Sequence, residues 1–249
     1  GAPLAIVEAK KTGVSPSVGE QQAKLYADCL EAQFGRRPVI FYSNGIETWL
    51  WDDQTAPPRR VAGFRTRSEL ELMIQRRSTR LRLGGVSIDA EIAGRFYQER
   101  AIRRIAESFD VDGQRKALVV MATGAGKTRT VVALADVLVR ANWAKRILFL
   151  ADRQALVKQA VNAFKEHLPD SSPVNLLTEK DTDGRVYVST YQTMMNLIPT
   201  KDADGVSRFG PGHFDLVVID EAHRSVFAKY RAIFDWFDSL LVGLTATPK

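Results

Sequence analysis

The sequence has a single cysteine, no long apolar run and no initiator methionine. One cysteine, Cys29, excludes an internal disulfide and is typical of a protein from a reducing cytoplasm. It lies in a helical pattern with Leu25 and Leu30, so we expect a small buried side chain. No apolar run approaches the roughly 18 residues that span a bilayer, which excludes a transmembrane helix. Residues 1–4 lack the pattern of a secretory signal, and the missing methionine indicates a processed or trimmed chain.

Lysine is absent from residues 57–104, where 12 arginines and 5 acidic residues give a net charge of +7. The whole chain carries +6, so the remaining residues sum to −1. Guanidinium groups bind phosphates bidentately and displace counterions, so this concentration of arginine is suited to a nucleic-acid backbone. A solvated basic helix face has the same composition, and charge alone does not separate the two interpretations.

The pattern divides the chain into residues 1–56, an arginine-rich connector at residues 57–85, and residues 86–249. The first segment combines a helix with short strands: strand 4–7, helix 17–34 closed by Gly35, strand 39–42, the hairpin turn Asn44-Gly45 and strand 46–51. In the connector, Ser68-x-x-Glu71 predicts a capping box that opens a helix.

In residues 86–249, apolar strands alternate with helices. The predicted helices are 97–109, 127–140 and 152–167, and the predicted strands are 117–120, 146–150, 185–188, 216–219 and 240–244. Continuous apolar strands separated by helices predict an α/β fold, a parallel sheet with helices on both faces. This is a nucleotide-binding architecture.

A phosphate-binding loop follows strand 117–120 and opens a helix. The loop consists of Thr123, Gly124, Ala125, Gly126, Lys127 and Thr128. Backbone N–H groups and the helix N-terminus converge on phosphates in this setting. Lys127 is expected to reach the β- and γ-phosphates of ATP, and the Thr128 hydroxyl to bind Mg²⁺. The general pattern has glycine five residues before Gly126, where this sequence has Met121.

Two carboxylates, Asp220 and Glu221, directly follow strand 216–219. They are therefore expected at the carboxyl edge of the sheet, where ligands bind in open α/β folds. Asp220 is suited to hold Mg²⁺, and Glu221 to orient and deprotonate the attacking water. Acidic residues also favour helix starts, but beside a phosphate-binding loop the pair indicates ATP hydrolysis.

Together these motifs resemble motifs I, II and III of superfamily 2 helicases and translocases. Motif I is the phosphate-binding loop, motif II is Asp-Glu-Ala-His at residues 220–223, and motif III is Leu-Thr-Ala-Thr-Pro at residues 244–248. Residues 95–98 resemble the adenine-recognition motif, residues 148–153 motif Ia and residues 188–193 motif Ib. The resemblance implies ATP contacts by Arg95 and Gln98, DNA contacts by Arg153, Ser189 and Thr190, and coupling of hydrolysis to movement by Thr245 and Thr247.

Three motifs have forms typical of the R subunit of type I restriction enzymes. They are Arg-Phe-Tyr-Gln-x-x-Ala-Ile, Met-Ala-Thr-Gly-x-Gly-Lys-Thr and Asp-Glu-Ala-His-Arg-Ser. This resemblance implies an ATP- and Mg²⁺-dependent translocase and endonuclease acting on double-stranded DNA in a bacterial or archaeal cytoplasm. Its partners would be the specificity and methyltransferase subunits. The alternatives are another superfamily 2 motor (type III restriction or repair), a DNA-binding scaffold with an ATP latch, and an unrelated P-loop kinase.

That family carries a nuclease domain in front of the motor. Glu8-x-Lys10 resembles the restriction-nuclease core, where carboxylates hold Mg²⁺ and a lysine positions water. Gln22-x-x-x-Tyr26 resembles an auxiliary nuclease motif of the type I enzymes. The family's metal-binding Asp precedes Glu8, and the first seven residues include no acidic one.

By this resemblance, residues 1–56 are the C-terminal part of a nuclease domain and residues 86–249 the first RecA-like lobe. The second lobe, with its arginine finger, is expected outside the sequence. Nuclease and motor must share one DNA path, so we expect several arginines between them to face duplex DNA. The candidates are Arg59, Arg60, Arg65, Arg67, Arg76, Arg77, Arg80 and Arg82.

Overall fold

The computed structural model describes residues 1–179, 182–201, 203, 205, 207–222 and 224–247, without the side chains of Arg224 and Ser225. The chain forms two compact units. The N-terminal unit comprises Gly1–Thr79, Gly210–His213 and Asp235–Asp238, and the C-terminal unit comprises Arg80–Phe209, Phe214–Phe234 and Ser239–Lys249. The division at Thr79 falls inside residues 57–85. Within the described residues, no helix has the length and apolar character needed to cross a membrane.

The N-terminal unit is a four-stranded sheet between two helices. Its elements are β1 (Ala5–Ala9), α1 (Glu20–Phe34), β2 (Val39–Ser43), β3 (Thr48–Trp51), β4 (Arg59–Val61) and α2 (Arg67–Thr79). The strand order is β1-β2-β3-β4, with β1 parallel to β2 and the other pairs antiparallel. Alternate residues of β2 point to opposite faces, so Ile40 and Tyr42 pack with Ala23 and Ala27 of α1. Phe41 packs on the other face, in a cluster that includes Leu70 of α2.

Helix α1 ends as the sequence predicts, because Gly35 has the left-handed φ of 67° that closes a helix. The prediction of a buried Cys29 is wrong, since its side chain is exposed. The buried face of α1 is set by Ala23 and Ala27, one helical turn apart. Cys29 lies two residues beyond Ala27, which places it about 200° around the helix.

The N-terminal cap of helix α2 lies two residues before the predicted cap at Ser68. The Glu69 carboxylate accepts a 2.9 Å hydrogen bond from the Thr66 N–H, and the Glu69 N–H donates to Thr66 Oγ1 at 3.3 Å. The capping box is therefore Thr66-x-x-Glu69, and the prediction of Ser68-x-x-Glu71 is wrong. Both pairs fit the motif, but only Thr66 precedes the helix.

The C-terminal unit is a six-stranded, wholly parallel sheet with helices on both faces. Its elements are α3 (Phe96–Asp110), β5 (Lys116–Val120), α4 (Lys127–Arg140), β6 (Ile147–Ala151), α5 (Gln154–His167), β7 (Pro173–Asn175), β8 (Val186–Thr190), α6 (Tyr191–Leu197), β9 (Leu216–Ile219), α7 (Arg224–Lys229), α8 (Arg231–Trp236) and β10 (Leu240–Thr245). The strand order is β5-β10-β9-β6-β8-β7. This confirms the predicted α/β fold class with its RecA-like parallel sheet.

Candidate functional site

Three neighbouring strands bring the ATP-site motifs to one edge of the sheet. Strand β10 lies between β5, which precedes the phosphate-binding loop, and β9, which precedes Asp220. The loops after these strands are joined by backbone hydrogen bonds. The Met121 N–H donates to the Thr245 carbonyl at 2.9 Å, and the Ala222 N–H donates to the Leu244 carbonyl at 2.6 Å. The three motifs therefore share one framework of backbone hydrogen bonds.

The phosphate-binding loop depends on its two glycines. Gly124 and Gly126 have φ angles of 79° and 84°, which side-chain-bearing residues rarely adopt. A Cβ atom added to Gly126 would also lie 2.5 Å from Gln98 Nε2. Helix α4 begins at Lys127, immediately after this turn. The loop therefore presents the helix N-terminus and the Lys127 side chain on the same side of the turn.

Lys127 and Glu221 form an ion pair, with 3.2 Å between Lys127 Nζ and Glu221 Oε1. The Lys127 side chain is 14% exposed and that of Glu221 41% exposed. Glu221 has a φ of 54°, and this left-handed conformation is unfavourable for a residue with a side chain. Motifs I and II, 94 positions apart in sequence, thus meet through their charged side chains.

Asp220 lies beside this pair and has a raised pKa. Burial is the main cause, and the neighbouring Glu221 carboxylate adds to it. The Lys127 ammonium and the Glu221 N–H, which donates to Asp220 Oδ1 at 3.1 Å, act in the opposite direction. Two carboxylates thus share one lysine. Hard oxygen donors with surplus negative charge fit Mg²⁺, which commonly takes only one or two protein ligands beside nucleotide phosphates.

The start of α3 supports the phosphate-binding loop from one side. Gln98 is buried, and its Nε2 donates to the carbonyls of Ala125 and Gly126 at 3.4 and 3.3 Å. The Arg95 guanidinium donates to Tyr97 Oη at 2.8 Å, and Tyr97 Oη donates to the Ala125 carbonyl at 3.2 Å. Of the two predicted ATP contacts, Gln98 therefore bonds directly to the phosphate-binding loop, and Arg95 is connected to the loop through Tyr97. Tyr97, which was not predicted as a site residue, also lines a cavity of about 360 Å³ beside the loop.

Thr245 and Thr247, the predicted coupling residues, bond to each other. Thr245 Oγ1 donates to the Thr247 carbonyl at 3.0 Å and accepts from the Thr247 N–H at 3.3 Å. Thr245 is buried and Thr247 exposed, so a compact turn follows β10 beside the phosphate-binding loop. His223 and Pro248, which complete motifs II and III in the sequence, lie outside the described residues.

In the N-terminal unit, the four predicted nuclease residues form one continuous network. Lys10 Nζ lies 2.8 Å from Glu8 Oε1 and 3.0 Å from Gln22 Oε1. Gln22 Nε2 in turn donates to Tyr26 Oη at 2.8 Å. Gly19 allows this approach, since a Cβ there would lie within 3 Å of the Glu8 and Lys10 side chains. Gly19 was not among the residues predicted for this site.

This network does not by itself fit a bound metal ion. Glu8 is its one carboxylate, and its Oε1 is already paired with Lys10. Over the described ranges, no group of three or more His, Cys, Asp or Glu residues is placed to hold a metal ion. The network places one carboxylate beside one lysine, and it does not include the second carboxylate that a nuclease metal site needs.

The comparison with protein families identifies the chain. The family model described as "Type III restriction enzyme, res subunit" matches residues 91–249. The chain belongs to this family. The match covers α3 and every strand of the six-stranded sheet, and therefore all the motifs of the candidate ATP site.

Individual restriction subunits are similar over longer stretches. The chain is 33% identical to the Type I restriction enzyme EcoAI endonuclease subunit of Escherichia coli over its whole length, and covers 32% of that protein. It is 33% identical to the EcoKI endonuclease subunit of the K12 strain over 64% of the chain and 16% of that protein. A solved fragment of an HsdR subunit of a type I restriction enzyme from Vibrio vulnificus matches 98% of this chain and 43% of its own, with 26% identity and a TM-score of 0.48. The predicted resemblance is confirmed, and the chain spans a third or less of these two curated relatives.

In this member of the restriction-subunit family, the predicted DNA contacts differ in exposure. Arg153 precedes α5 and its side chain is 81% exposed. Thr190 is the N-cap of α6, and its Oγ1 accepts the Thr193 N–H at 3.2 Å. Ser189 is fully buried, and its hydroxyl donates to the Thr190 carbonyl at 3.1 Å. Ser189 thus differs from the exposed Arg153 in its burial, and a DNA contact by Ser189 stays a prediction.

The arginines of the arginine-rich segment differ in burial, which its composition does not reveal. Asp238 accepts hydrogen bonds from Arg59, at 2.8 Å to each carboxylate oxygen, and from Arg65. Arg77 pairs with the buried Asp52 at 2.8 Å, and Arg76 is buried. For these four arginines the prediction of a DNA-facing side chain is wrong, because they are turned into the protein. The candidates that remain exposed are Arg60, Arg67, Arg80 and Arg82.

Proposed function

We propose that the chain is the first motor lobe, with part of the nuclease domain, of an ATP-dependent restriction subunit that translocates double-stranded DNA. The observation that carries this proposal is the meeting of Lys127 and Glu221 beside Asp220. A phosphate-binding lysine and a water-orienting carboxylate at the carboxyl edge of one parallel sheet are what ATP hydrolysis requires. An ATP-binding latch would not need Glu221.

The Lys127–Glu221 ion pair holds together the two side chains that would act on different parts of a bound nucleotide. Lys127 would exchange Glu221 for the β- and γ-phosphates, and Glu221 would then be free to orient and deprotonate the attacking water. Thr123, Gly124, Ala125 and Gly126 would offer backbone N–H groups to the phosphates. Thr128 and Asp220 would hold Mg²⁺, which supplies charge neutralisation between the phosphates when it is bound.

The type I relatives support double-stranded DNA as the substrate and specificity and methyltransferase subunits as partners. Arg153 and Thr190 follow neighbouring strands at the edge of the sheet that also carries the ATP site. Bound DNA would therefore lie beside the groups that hydrolyse ATP. Thr245 and Thr247 would couple the two, since their turn is bonded to Met121 at the start of the phosphate-binding loop.

The N-terminal network favours this function over that of another superfamily 2 motor, such as a type III restriction or repair helicase. Glu8 would bind the nuclease Mg²⁺ together with a second carboxylate, and Lys10 would position water, held by Gln22 and Tyr26. A motor without nuclease function has no need of four polar residues linked in this way. An isolated Glu-x-Lys would not carry that inference.

The test is ATP hydrolysis and strand displacement by the full-length protein. We expect hydrolysis to rise when long duplex DNA is added, and a third strand bound to that duplex to be displaced without separation of the duplex strands. Lys127→Ala should abolish both activities. Separation of the duplex strands would favour the helicase alternative, and hydrolysis indifferent to DNA would contradict the proposal.

A further inference from the structure

Tyr191 connects two motifs that lie on different strands. It is the first residue of α6 and directly follows Thr190 at the end of β8. Its Oη donates a 2.6 Å hydrogen bond to the backbone carbonyl of Asp220, at the end of β9. Its ring is buried and stacks on Tyr230, with centroids 4.9 Å apart and an interplanar angle of 14°. Tyr230 follows α7, so both ends of the Tyr191 side chain touch the segment that begins at Asp220.

The hydrogen bond from Tyr191 to Asp220 connects two strands that have a third strand between them. Strands β8 and β9 are not neighbours, because β6 lies between them, and β6 is followed by Asp152 and Arg153. Burial raises the pKa of Tyr191 far above its ordinary value, and the charges of Asp220, Asp152 and Glu221 add to this effect. A tyrosine hydroxyl is protonated at neutral pH, and this one donates to the Asp220 carbonyl. Its surroundings include the ends of β6, β8 and β9.

We propose that Tyr191 is a positioning residue that transmits DNA binding at the ends of β6 and β8 to Asp220 in the ATP site. A side chain with two torsions, packed between Tyr230 and the sheet, transmits a displacement of the β8–α6 turn with little loss. Its hydroxyl then moves the backbone of the residue that holds Mg²⁺. The inference rests on the proposed function, since it presupposes hydrolysis that DNA stimulates.

Tyr191→Phe in the full-length protein tests this role, because it keeps the ring and its stacking and removes only the hydrogen bond. The dissociation constants for a fluorescent ATP analogue and for duplex DNA are expected to stay within about twofold of wild type. The DNA-stimulated kcat should fall by about fivefold, the effect of removing one hydrogen bond, and by a larger factor than the rate without DNA. A purely structural residue would change both rates together.

Tyr187→Phe is the matched control. Tyr187 is a buried residue of β8 whose hydroxyl accepts from the Gly184 N–H at 3.0 Å and donates to Asp183 at 3.4 Å. Removal of this hydroxyl should lower the melting temperature without changing the ratio of the two rates. If Tyr191→Phe fails to fold, Tyr230→Leu removes the stacking partner and should lower the same ratio.

The outcomes separate the role of Tyr191 from the motor function. Tyr191→Phe with wild-type DNA stimulation, or with a decrease equal to that of Tyr187→Phe, would overturn the role of Tyr191 and leave the motor proposal standing. A wild-type protein whose hydrolysis does not respond to DNA would overturn both. A selective decrease of stimulation at unchanged affinities would support the transmitting role.

Discussion

At the scale of single residues, we expect replacements of Lys127 and of Glu221 to have different effects on ATP binding and hydrolysis. Lys127→Ala removes a charge-assisted interaction with phosphate, so the dissociation constant for Mg²⁺–ATP should rise by about tenfold or more. Glu221→Gln keeps Lys127 and removes its ion pair with residue 221. Because Lys127 is then free to contact phosphate, ATP should bind as tightly as to wild type or more tightly. Hydrolysis should fall by about 10²-fold or more, because water is no longer activated. Equilibrium titration and steady-state hydrolysis measure the two effects.

The same variants distinguish an ATPase from an ATP-binding scaffold. An equal decrease of ATP affinity in Lys127→Ala and Glu221→Gln would show that the Lys127–Glu221 ion pair only stabilises the structure of the site. Thr193→Ala is a useful control for folding, since Thr193 lies in the same sheet-edge region and bonds to Thr190 instead of to the ATP-site residues. It should leave ATP affinity unchanged.

Spacing predicts which side chains of a short motif lie close together, because that depends only on the local helix or strand geometry. Glu8 lies in β1 and Lys10 directly follows this strand, and Gln22 and Tyr26 are one turn apart on α1. Spacing does not predict which residues each side chain contacts, or whether that side chain is buried. Gln98 bonds to the carbonyls of the loop, and Ser189 points into the core. Such choices depend on neighbours that are distant in sequence.

At the scale of elements, the start of α2 offers a direct test of the corrected cap. Thr66→Ala removes the acceptor for the Glu69 N–H and should destabilise the protein by about 1 kcal/mol. Ser68→Ala should change stability by much less, although the sequence alone favours Ser68 as the cap. Ser68 is exposed and lies within the helix. Chemical denaturation of the two variants gives the comparison, and a larger effect at Ser68 would restore the original prediction.

Long periodic elements were predictable and short ones were not. Helix α4 and strand β9 have the predicted bounds, because glycine and charged residues delimit their apolar patterns sharply. Strands β4 and β7 have three residues each and were missed, since three residues show no period. Strand β4 is also rich in arginine, and it is placed in the sheet by pairing with β3 and not by its own composition.

At the scale of the whole molecule, the arginine surplus divides into largely buried side chains and exposed ones, for which we expect different effects. Replacing Arg60, Arg67 and Arg82 by Gln should weaken nonspecific duplex binding, and the slope of log K against log salt should fall by about 0.9 for each phosphate that is no longer neutralised. Replacing Arg59 and Arg65 should instead lower the melting temperature, because the buried Asp238 would lose its ion pairs with both arginines.

Duplex binding measured across a series of salt concentrations decides between these roles. A slope unchanged by the triple replacement would show that the exposed arginines are only a solvated surface, and the DNA path would then run along Arg153 and Thr190. A slope changed by Arg59→Gln at unchanged melting temperature would contradict the structural role of its pairing with Asp238.

The discontinuity of the N-terminal unit has a consequence for its synthesis on the ribosome. Its body ends at Thr79, but Asp238, the acceptor for Arg59 and Arg65, follows about 160 residues later. At ~5–20 residues per second, this interval lasts roughly 8–30 s. During that time Arg59 and Arg65 lack the Asp238 carboxylate that they bond to in the folded protein. We therefore expect the N-terminal unit to stay loosely packed. The N-terminal unit is therefore expected to reach its final packing only after residues 235–238 have been synthesised.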